Sequence, residues 1–202
     1  MARRNEHSLE EIKAMVLDAA ETIIINEGYS ALTVRKIAME MGYTVGSIYM
    51  VFSSMADLIM HIKANTVDDL NKQLQQVPDC AHEQYIAELA KTYLKFANQN
   101  FNRWSMVFAQ DIESPEWYQE KINLIFNQVE TRFTQIAPTC SAQQSKQAAR
   151  ALWSGVHGIC ALSLTDRLDA TGINDVESIV VLLVKNFIVG WIDSLLPKNQ
   201  QQ

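Results

Sequence analysis

The stretch from Leu32 to Leu58, LTVRKIAMEMGYTVGSIYMVFSSMADL, restricts the fold of this chain more than any other feature. Its apolar residues recur at the spacing of one face on each of two short helices, namely Ile37, Met41, Tyr43, Ile48 and Val51. Ala38 lets the helices cross closely, and Gly42 supplies the left-handed backbone that ends the first helix. Thr33 and Thr44 stand where the helices need N-caps. The spacing therefore predicts two short helices joined by a tight turn.

Three segments of this stretch resemble the DNA-binding head of TetR-type (TetR/AcrR-like) transcriptional regulators: T-V-R-K-I-A, M-G-Y-T-V-G-S-I-Y and F-S-S-x-x-D-L. The resemblance is close over the N-terminal third of the chain and extends in layout to the rest. It implies a helix-turn-helix whose second helix enters the major groove of DNA.

The second predicted helix has two faces when its residues are placed at about 100° each. Val45, Ile48 and Phe52 fall on one side, which should be buried. The opposite side and its flanks should meet DNA. With the preceding helix included, the predicted DNA contacts are Thr33, Arg35, Lys36, Thr44, Val45, Gly46, Ser47, Tyr49 and Met50.

For Arg35 and Tyr49, a contact with DNA is the expected role and a purely structural or solvated side chain is the alternative. The guanidinium of Arg35 can read guanine O6 and N7 together, or it is a solvated surface charge. The resemblance implies that Tyr49 contacts phosphate or base edges, and the alternative is a half-buried structural ring. Two positions depart from the family, which usually has a basic or aromatic residue at Met50 and a lysine at Met55. Loss of that lysine predicts weaker and less salt-sensitive DNA binding.

The chain has 202 residues, of which 48% are hydrophobic and 20% are charged. This composition is typical of a globular protein with one core, or with a small head and a larger body. The net charge is −6, and the first 65 residues hold six basic and eight acidic residues, so DNA binding must use directed contacts. Arg3 and Arg4 are further phosphate candidates. The polar N-terminus lacks a secretory pattern, which predicts a cytoplasmic protein. Cys80, Cys140 and Cys160 are too scattered for a disulfide framework, and we expect no metal or cofactor.

Helical periodicity, with glycine and proline at the boundaries, predicts an all-α protein of about nine helices. Capping boxes at Ser8–Glu11, Ser54–Asp57 and Asn174–Glu177 open three of them. Further helices are expected over 81–100, 102–112, 115–136 and 141–168. We expect a DNA-binding domain over 1–53 and a helical ligand-binding and dimerisation domain over 54–202, with helix 54–77 connecting the two.

The last two predicted helices indicate self-association. The final one, over 174–196, is apolar around most of its circumference, but Lys185, Asn186 and Asp193 interrupt it, which favours a buried helix over a membrane span. The helix before it is rich in small residues that permit close approach. Together they predict a two-fold homodimer interface that includes Gly155, Gly158, Val184, Ile188 and Trp191.

The run W-S-G-V-H-G from Trp153 to Gly158 resembles the Trp-His-Gly signature of one class of TetR-type C-terminal domain. Trp153 and His157 share a helical face, where the histidine could offer one hydrogen bond inside an apolar pocket. Aromatic residues crowd the central helices, and ordinary core packing is the alternative to a ligand site. The predicted ligand contacts are Phe96, Trp104, Phe108, Trp117, Phe126, Trp153 and His157.

These patterns predict a ligand-responsive DNA-binding regulator, namely a repressor released from a palindromic operator by a small apolar or aromatic molecule. The alternative is a helical interaction protein with a degenerate DNA-binding head. Catalysis is not expected, because His7, His61, His82 and His157 are scattered without carboxylate or cysteine partners at ligand spacing. The operator, the regulated genes, the effector and the direction of its effect stay open.

Overall fold

The computed structural model describes residues 7–109, 112–165, 172 and 175–196. Within these ranges the chain forms nine α-helices, one short 3-10 helix at Tyr29–Ala31 and no strand, so the all-α prediction is confirmed. The α-helices are α1 (Leu9–Glu27), α2 (Val34–Met41), α3 (Val45–Tyr49), α4 (Met55–Leu74), α5 (His82–Gln99), α6 (Phe101–Phe108), α7 (Glu116–Ile136), α8 (Ala142–Ser163) and α9 (Val176–Leu195).

Most helix starts follow local capping chemistry. At α1 the Ser8 hydroxyl accepts from the Glu11 backbone N–H at 3.3 Å, and the Glu11 carboxylate accepts from the Ser8 N–H at 2.7 Å, which is the predicted capping box. The cap of α9 is Asp175, whose Oδ1 accepts from the Ser178 N–H at 3.0 Å, and the predicted cap Asn174 lies outside the described residues. Helices α6 and α8 end earlier than predicted, at Phe108 and Ser163, where neither glycine nor proline marks the stop.

The helices form two compact units. The first contains the chain through Asp69 together with 100–119, and the second contains 70–99 and the chain from Glu120 onwards. Helices α4 and α7 run without a break through these divisions, so each contributes to both units. This division describes packing, and the functional boundary after residue 53 stays a prediction.

The core of the first unit fixes α2 and α3 against α1. Helix α1 packs on α2, α3 and α6, and α2 packs on α3. Fully buried side chains from separate helices meet in this core, including Val16, Ile24, Ile37, Ile48, Leu58 and Met106. Burying each such side chain stabilises the fold by roughly 1.5–3 kcal/mol. The short α3 therefore owes its position to this core, since five residues are too few for a helix that is stable alone.

A polar network attaches α6 to the same unit. Arg103 lies 2.8 Å from the Asp69 carboxylate on α4 and 3.6 Å from the Glu21 carboxylate on α1. Asn65 donates to Glu21 at 2.7 Å, and Asn102 donates to the Ile25 carbonyl oxygen at 2.9 Å. Because both carboxylates face one guanidinium, α6 is held to α1 and α4 by charge as well as by apolar packing.

In the second unit α5 packs on α8 and α9, and α8 packs on α9. A Cβ added to Gly155 would lie 2.9 Å from Leu183 Cδ2, so glycine allows α8 and α9 to approach. Val184 and Ile188 are each 1% exposed within one protomer, and the Trp191 ring packs edge-on against Phe133 at 4.8 Å. These four residues, predicted for the dimer interface, therefore face their own chain.

By length and composition alone, helix α9 is long and apolar enough to cross a membrane. Core helices of soluble proteins have the same composition, and here one side of α9 packs on α5 and α8. The other side exposes Leu182 (53%) and Val189 (50%). The apolar surface of α9 that is free to meet a partner therefore contains Leu182 and Val189, and not the buried Val184 and Ile188.

Candidate nucleic-acid interface

The turn between α2 and α3 has the predicted geometry. Thr33 caps α2, because its hydroxyl accepts from the Lys36 backbone N–H at 3.2 Å. Gly42 takes the left-handed conformation, φ 68° and ψ 26°, and the Tyr43 N–H donates to the Ala38 carbonyl oxygen at 2.9 Å. This is the hydrogen bond of a Schellman motif, which ends a helix and reverses the chain at once. The turn therefore presents α3 at a fixed angle to α2.

Helix α3 and the turn that follows it bury one side and expose the other. Ile48 and Phe52 are 1% and 2% exposed, and Val45 is partly buried, as the periodicity predicted. On the outer side Tyr49 is 49% exposed and Met50 is 57% exposed. Thr44, at the N-cap position, makes no side-chain cap, since its hydroxyl lies 3.1 Å from that of Ser47 instead. Thr44 and Gly46 are exposed, and Ser47 is partly so.

Two basic residues of α2 differ in their surroundings. Arg35 is exposed to solvent, whereas the Lys36 ammonium is paired with the Glu27 carboxylate. A phosphate that approaches Lys36 has to compete with this carboxylate. Arg35 therefore has the better position for contacting DNA.

The start of α4 carries no cation toward the expected DNA side. Met55 packs partly against the core of the first unit. His61 lies between the rings of Phe52 and Trp117, with centroids at 5.4 Å and 5.2 Å. Burial lowers the pKa of His61, and the Lys13 charge lowers it further, so the imidazole is neutral at pH 7. Arg3 and Arg4 lie outside the described residues.

A separate apolar cavity of about 60 Å³ lies in the second unit. It is lined from four helices, by Leu74 at the end of α4, by Ile86, Leu89, Ala90 and Tyr93 of α5, by Ile125, Gln128 and Val129 of α7, and by Ala149, Leu152, Trp153 and Val156 of α8. Gln128 Nε2 donates to Asn71 Oδ1 at 3.0 Å, which joins α7 to α4 beside this cavity.

Three predicted ligand residues adjoin one another near the cavity, and Trp153 lines it. Its ring stacks on His157 at 5.1 Å and meets Phe126 edge-on at 5.7 Å. His157 Nδ1 lies 2.8 Å from the Tyr93 hydroxyl, and burial lowers the pKa of the imidazole. A neutral histidine–tyrosine pair therefore provides hydrogen-bonding capacity at one end of an apolar lining.

The remaining predicted ligand residues lie elsewhere. Phe96 is a 1% exposed core residue of α5, and Trp104, Phe108 and Trp117 belong to the first unit. The residues that line the cavity were missed because most are ordinary aliphatic side chains. In the sequence these residues are apolar positions at helical spacing on each of three helices. A core without any cavity produces the same pattern.

A short exposed helix that follows a Schellman turn and packs on a helical core is the arrangement of helix-turn-helix DNA-binding proteins. A family model described as bacterial regulatory proteins, tetR family, matches residues 16–62. A second model, described as the tetracyclin repressor-like C-terminal domain, matches residues 86–187. The chain belongs to the TetR family and is a DNA-binding transcriptional regulator rather than an enzyme.

Individual relatives are distant. An uncharacterized HTH-type transcriptional regulator of Mycobacterium tuberculosis is 22% identical over 157 residues, 76% of this chain and 71% of the relative. The solved structure of a protein with unknown function from Rhodococcus sp. RHA1 has a TM-score of 0.75 at 17% identity and covers 94% of this chain and 98% of that one. BioQ, solved with its double-stranded DNA operator, has a TM-score of 0.64 at 20% identity and covers 88% and 98%. These structural likenesses show a shared fold.

Proposed function

We propose that this regulator is a dimeric repressor that a small apolar molecule releases from a palindromic operator. The observation that carries the proposal is the apolar cavity, because its lining includes Leu74, the last residue of α4. The first residue of the same helix, Met55, follows the recognition helix α3 by a few residues. One continuous helix thus begins beside the DNA-contacting element and ends at the cavity.

The size of the cavity supports coupling between ligand and helix. An apolar cavity of roughly 150 Å³ holds benzene, whereas this one measures about 60 Å³. A ligand of several heavy atoms should therefore displace lining side chains such as Leu74. A shift of α4 changes the separation of two recognition helices, which DNA requires at about 34–36 Å or a multiple of that spacing.

The outer faces of α8 and α9 support the dimer. Leu162, Leu182 and Val189 are 44%, 53% and 50% exposed, and a Cβ added to Gly158 would meet no atom within 4 Å. Apolar side chains beside an open glycine suit the close approach of a second copy. Of the predicted interface residues, Gly158 fits this surface. The operator bound to BioQ supports duplex DNA as the other partner, and such a regulator works in the cytoplasm, where bacterial DNA lies.

Selection of operator fragments from genomic DNA, followed by titration with small apolar alcohols and aromatics, tests this function. Ala90→Leu adds three carbons that take up the empty space of the cavity and should blunt release by an active compound. Operator affinity should stay within about threefold, because so small an addition displaces the lining less than a bound ligand does. Ala142→Leu, the same change at an exposed position of α8, is the matched control. If both variants respond like the wild type, the cavity is not the effector site.

A helical interaction protein with a degenerate head is the second candidate, favoured by the Lys36–Glu27 pair and by Met55, which packs partly against the core where the family usually has a lysine. Failure to select any DNA fragment above background at low salt would support it.

A further inference from the structure

The recognition segment from Thr44 to Met50, TVGSIYM, has an unusual set of groups for reading bases. It contains no Arg, Lys, Asn or Gln, which are the residues that make bidentate hydrogen bonds to guanine or adenine. Its polar groups are three hydroxyls, and those of Thr44 and Ser47 already lie 3.1 Å apart. Hydrogen bonding from this segment therefore carries limited sequence information.

Met50 occupies the centre of the outward face. At about 100° per residue, the position of Met50 is nearly opposite the buried Ile48, and Gly46 shares its direction one turn earlier. Gly46 has no side chain, and Met50 is 57% exposed. The backbone can therefore approach DNA closely at Gly46, while Met50 is the most exposed apolar side chain of the segment.

A thioether is at most a weak hydrogen-bond acceptor, so Met50 distinguishes base pairs mainly by apolar contact. In the major groove the apolar group is the C5 methyl of thymine. We propose that Met50 is a specificity-determining residue that packs against one thymine methyl in each operator half-site. This inference rests on the proposed operator binding and adds the kind of base that the segment reads.

The experiment uses the full-length protein and an operator selected from random duplex DNA. Each thymine of the selected site is replaced in turn by deoxyuridine, which keeps base pairing and removes the methyl group alone. At one thymine per half-site the affinity should fall about fourfold, because the complex no longer buries one methyl group. Two replacements of that A·T pair are then compared, one by guanine paired with 5-methylcytosine and one by guanine paired with cytosine. The methylated pair should keep more affinity, because its methyl group occupies the position of the thymine methyl.

Variants then assign the methyl contact to a side chain. Met50→Ala should weaken binding to the thymine site and should remove the deoxyuridine effect, as a double-mutant cycle requires of two groups in contact. Met39→Ala is the matched control, since Met39 is 74% exposed on α2, outside the recognition segment, and should leave the deoxyuridine effect at its wild-type size.

The outcomes distinguish operator binding from the reading of a thymine methyl by Met50. If no DNA is selected, operator binding itself fails. If an operator is selected but no thymine shows a methyl effect, DNA binding stands and the reading by Met50 is overturned. A methyl effect that persists in Met50→Ala assigns the contact to another side chain, such as that of Thr44, and overturns the proposal as well.

Discussion

Arg35 and Tyr49 are the exposed side chains from which we expect the largest single contributions to operator binding. Replacing either with alanine should weaken binding by roughly 1–3 kcal/mol without unfolding the protein, because neither change opens a cavity. Fluorescence anisotropy with the selected operator, beside a melting curve, measures both effects. Arg35→Lys is the control for charge: it should keep affinity for random DNA and lose sequence preference, since lysine lacks the guanidinium fork. Unchanged affinity in both alanine variants would show that other side chains bind the operator.

Gly42 and Gly46 form a matched pair for testing the turn. Gly42→Ala should lower the free energy of unfolding by about 1–2 kcal/mol, because its φ of 68° is unfavourable for an L-residue even though the surrounding space is open. Gly46→Ala should leave stability unchanged or raise it by up to about 1 kcal/mol, since the new Cβ would make an ordinary 3.6 Å contact with Thr44 Oγ1. Urea denaturation distinguishes them, and equal losses in both variants would contradict this account.

Single residues were predictable where the requirement is local. Gly42 follows from the backbone that a tight turn needs, and the burial of Ile48 and Phe52 follows from helical phase. Cavity residues such as Ile86 and Gln128 were not predictable, because helical phase gives the side of a helix that faces inward and not whether the space there is filled.

Among the elements, α6 is held in position by charge as well as by apolar packing. Arg103→Met should lower the free energy of unfolding by about 1–3 kcal/mol, because it removes the two ion pairs that join α6 to Glu21 of α1 and Asp69 of α4. The loss should stay below that of a fully buried pair, since the Asp69 side chain is 40% exposed. Asp79→Asn breaks the pair with Arg132, in which Asp79 is 82% exposed, and should change stability by less than about 0.5 kcal/mol. Superimposable denaturation curves for these two variants would refute the role of Arg103.

Helix starts were predicted well, because a cap is read from four consecutive residues, as at Ser8 and Thr33. Thr44 failed as a cap because the neighbouring Ser47 hydroxyl offers it another partner. The association of α6 with α1 and α4 was not predicted, since Arg103 and its two carboxylates are distant in the chain and only the fold brings them together.

For the whole molecule, the outward face of α9 should control assembly. Val189→Glu should give folded monomers, because the residue is 50% exposed in one protomer and a carboxylate in the interface would cost several kcal/mol. Val184→Glu should unfold the protomer instead, since Val184 is 1% exposed. Sedimentation with circular dichroism separates the two results, and a well-folded wild-type monomer at micromolar concentration would disprove the dimer.

The stability of the molecule should also depend on pH through two histidines. Burial lowers the pKa of His61 and His157 below 6.5, so the unfolded chain binds more protons just below that pH. Their contribution is complete above about pH 6.5 and is lost as the pH falls through the folded-state pKa values. Urea titrations at fixed protein concentration between pH 7.5 and 5.5 should show this decline. The His61→Phe and His157→Asn double variant should show less of it, and an identical pH profile in that variant would rule out this origin.

The Lys36–Glu27 ion pair bears on how the regulator distributes itself over a chromosome. Random DNA holds a protein by neutralising phosphates, and a genome offers on the order of a million or more such competing sites. The half-exposed Glu27 carboxylate competes with phosphate for Lys36, so random DNA should hold the head less tightly and leave a larger share of its copies free to sample the operator. Occupancy of the operator should then depend more on contacts with bases than on the total positive charge of the head.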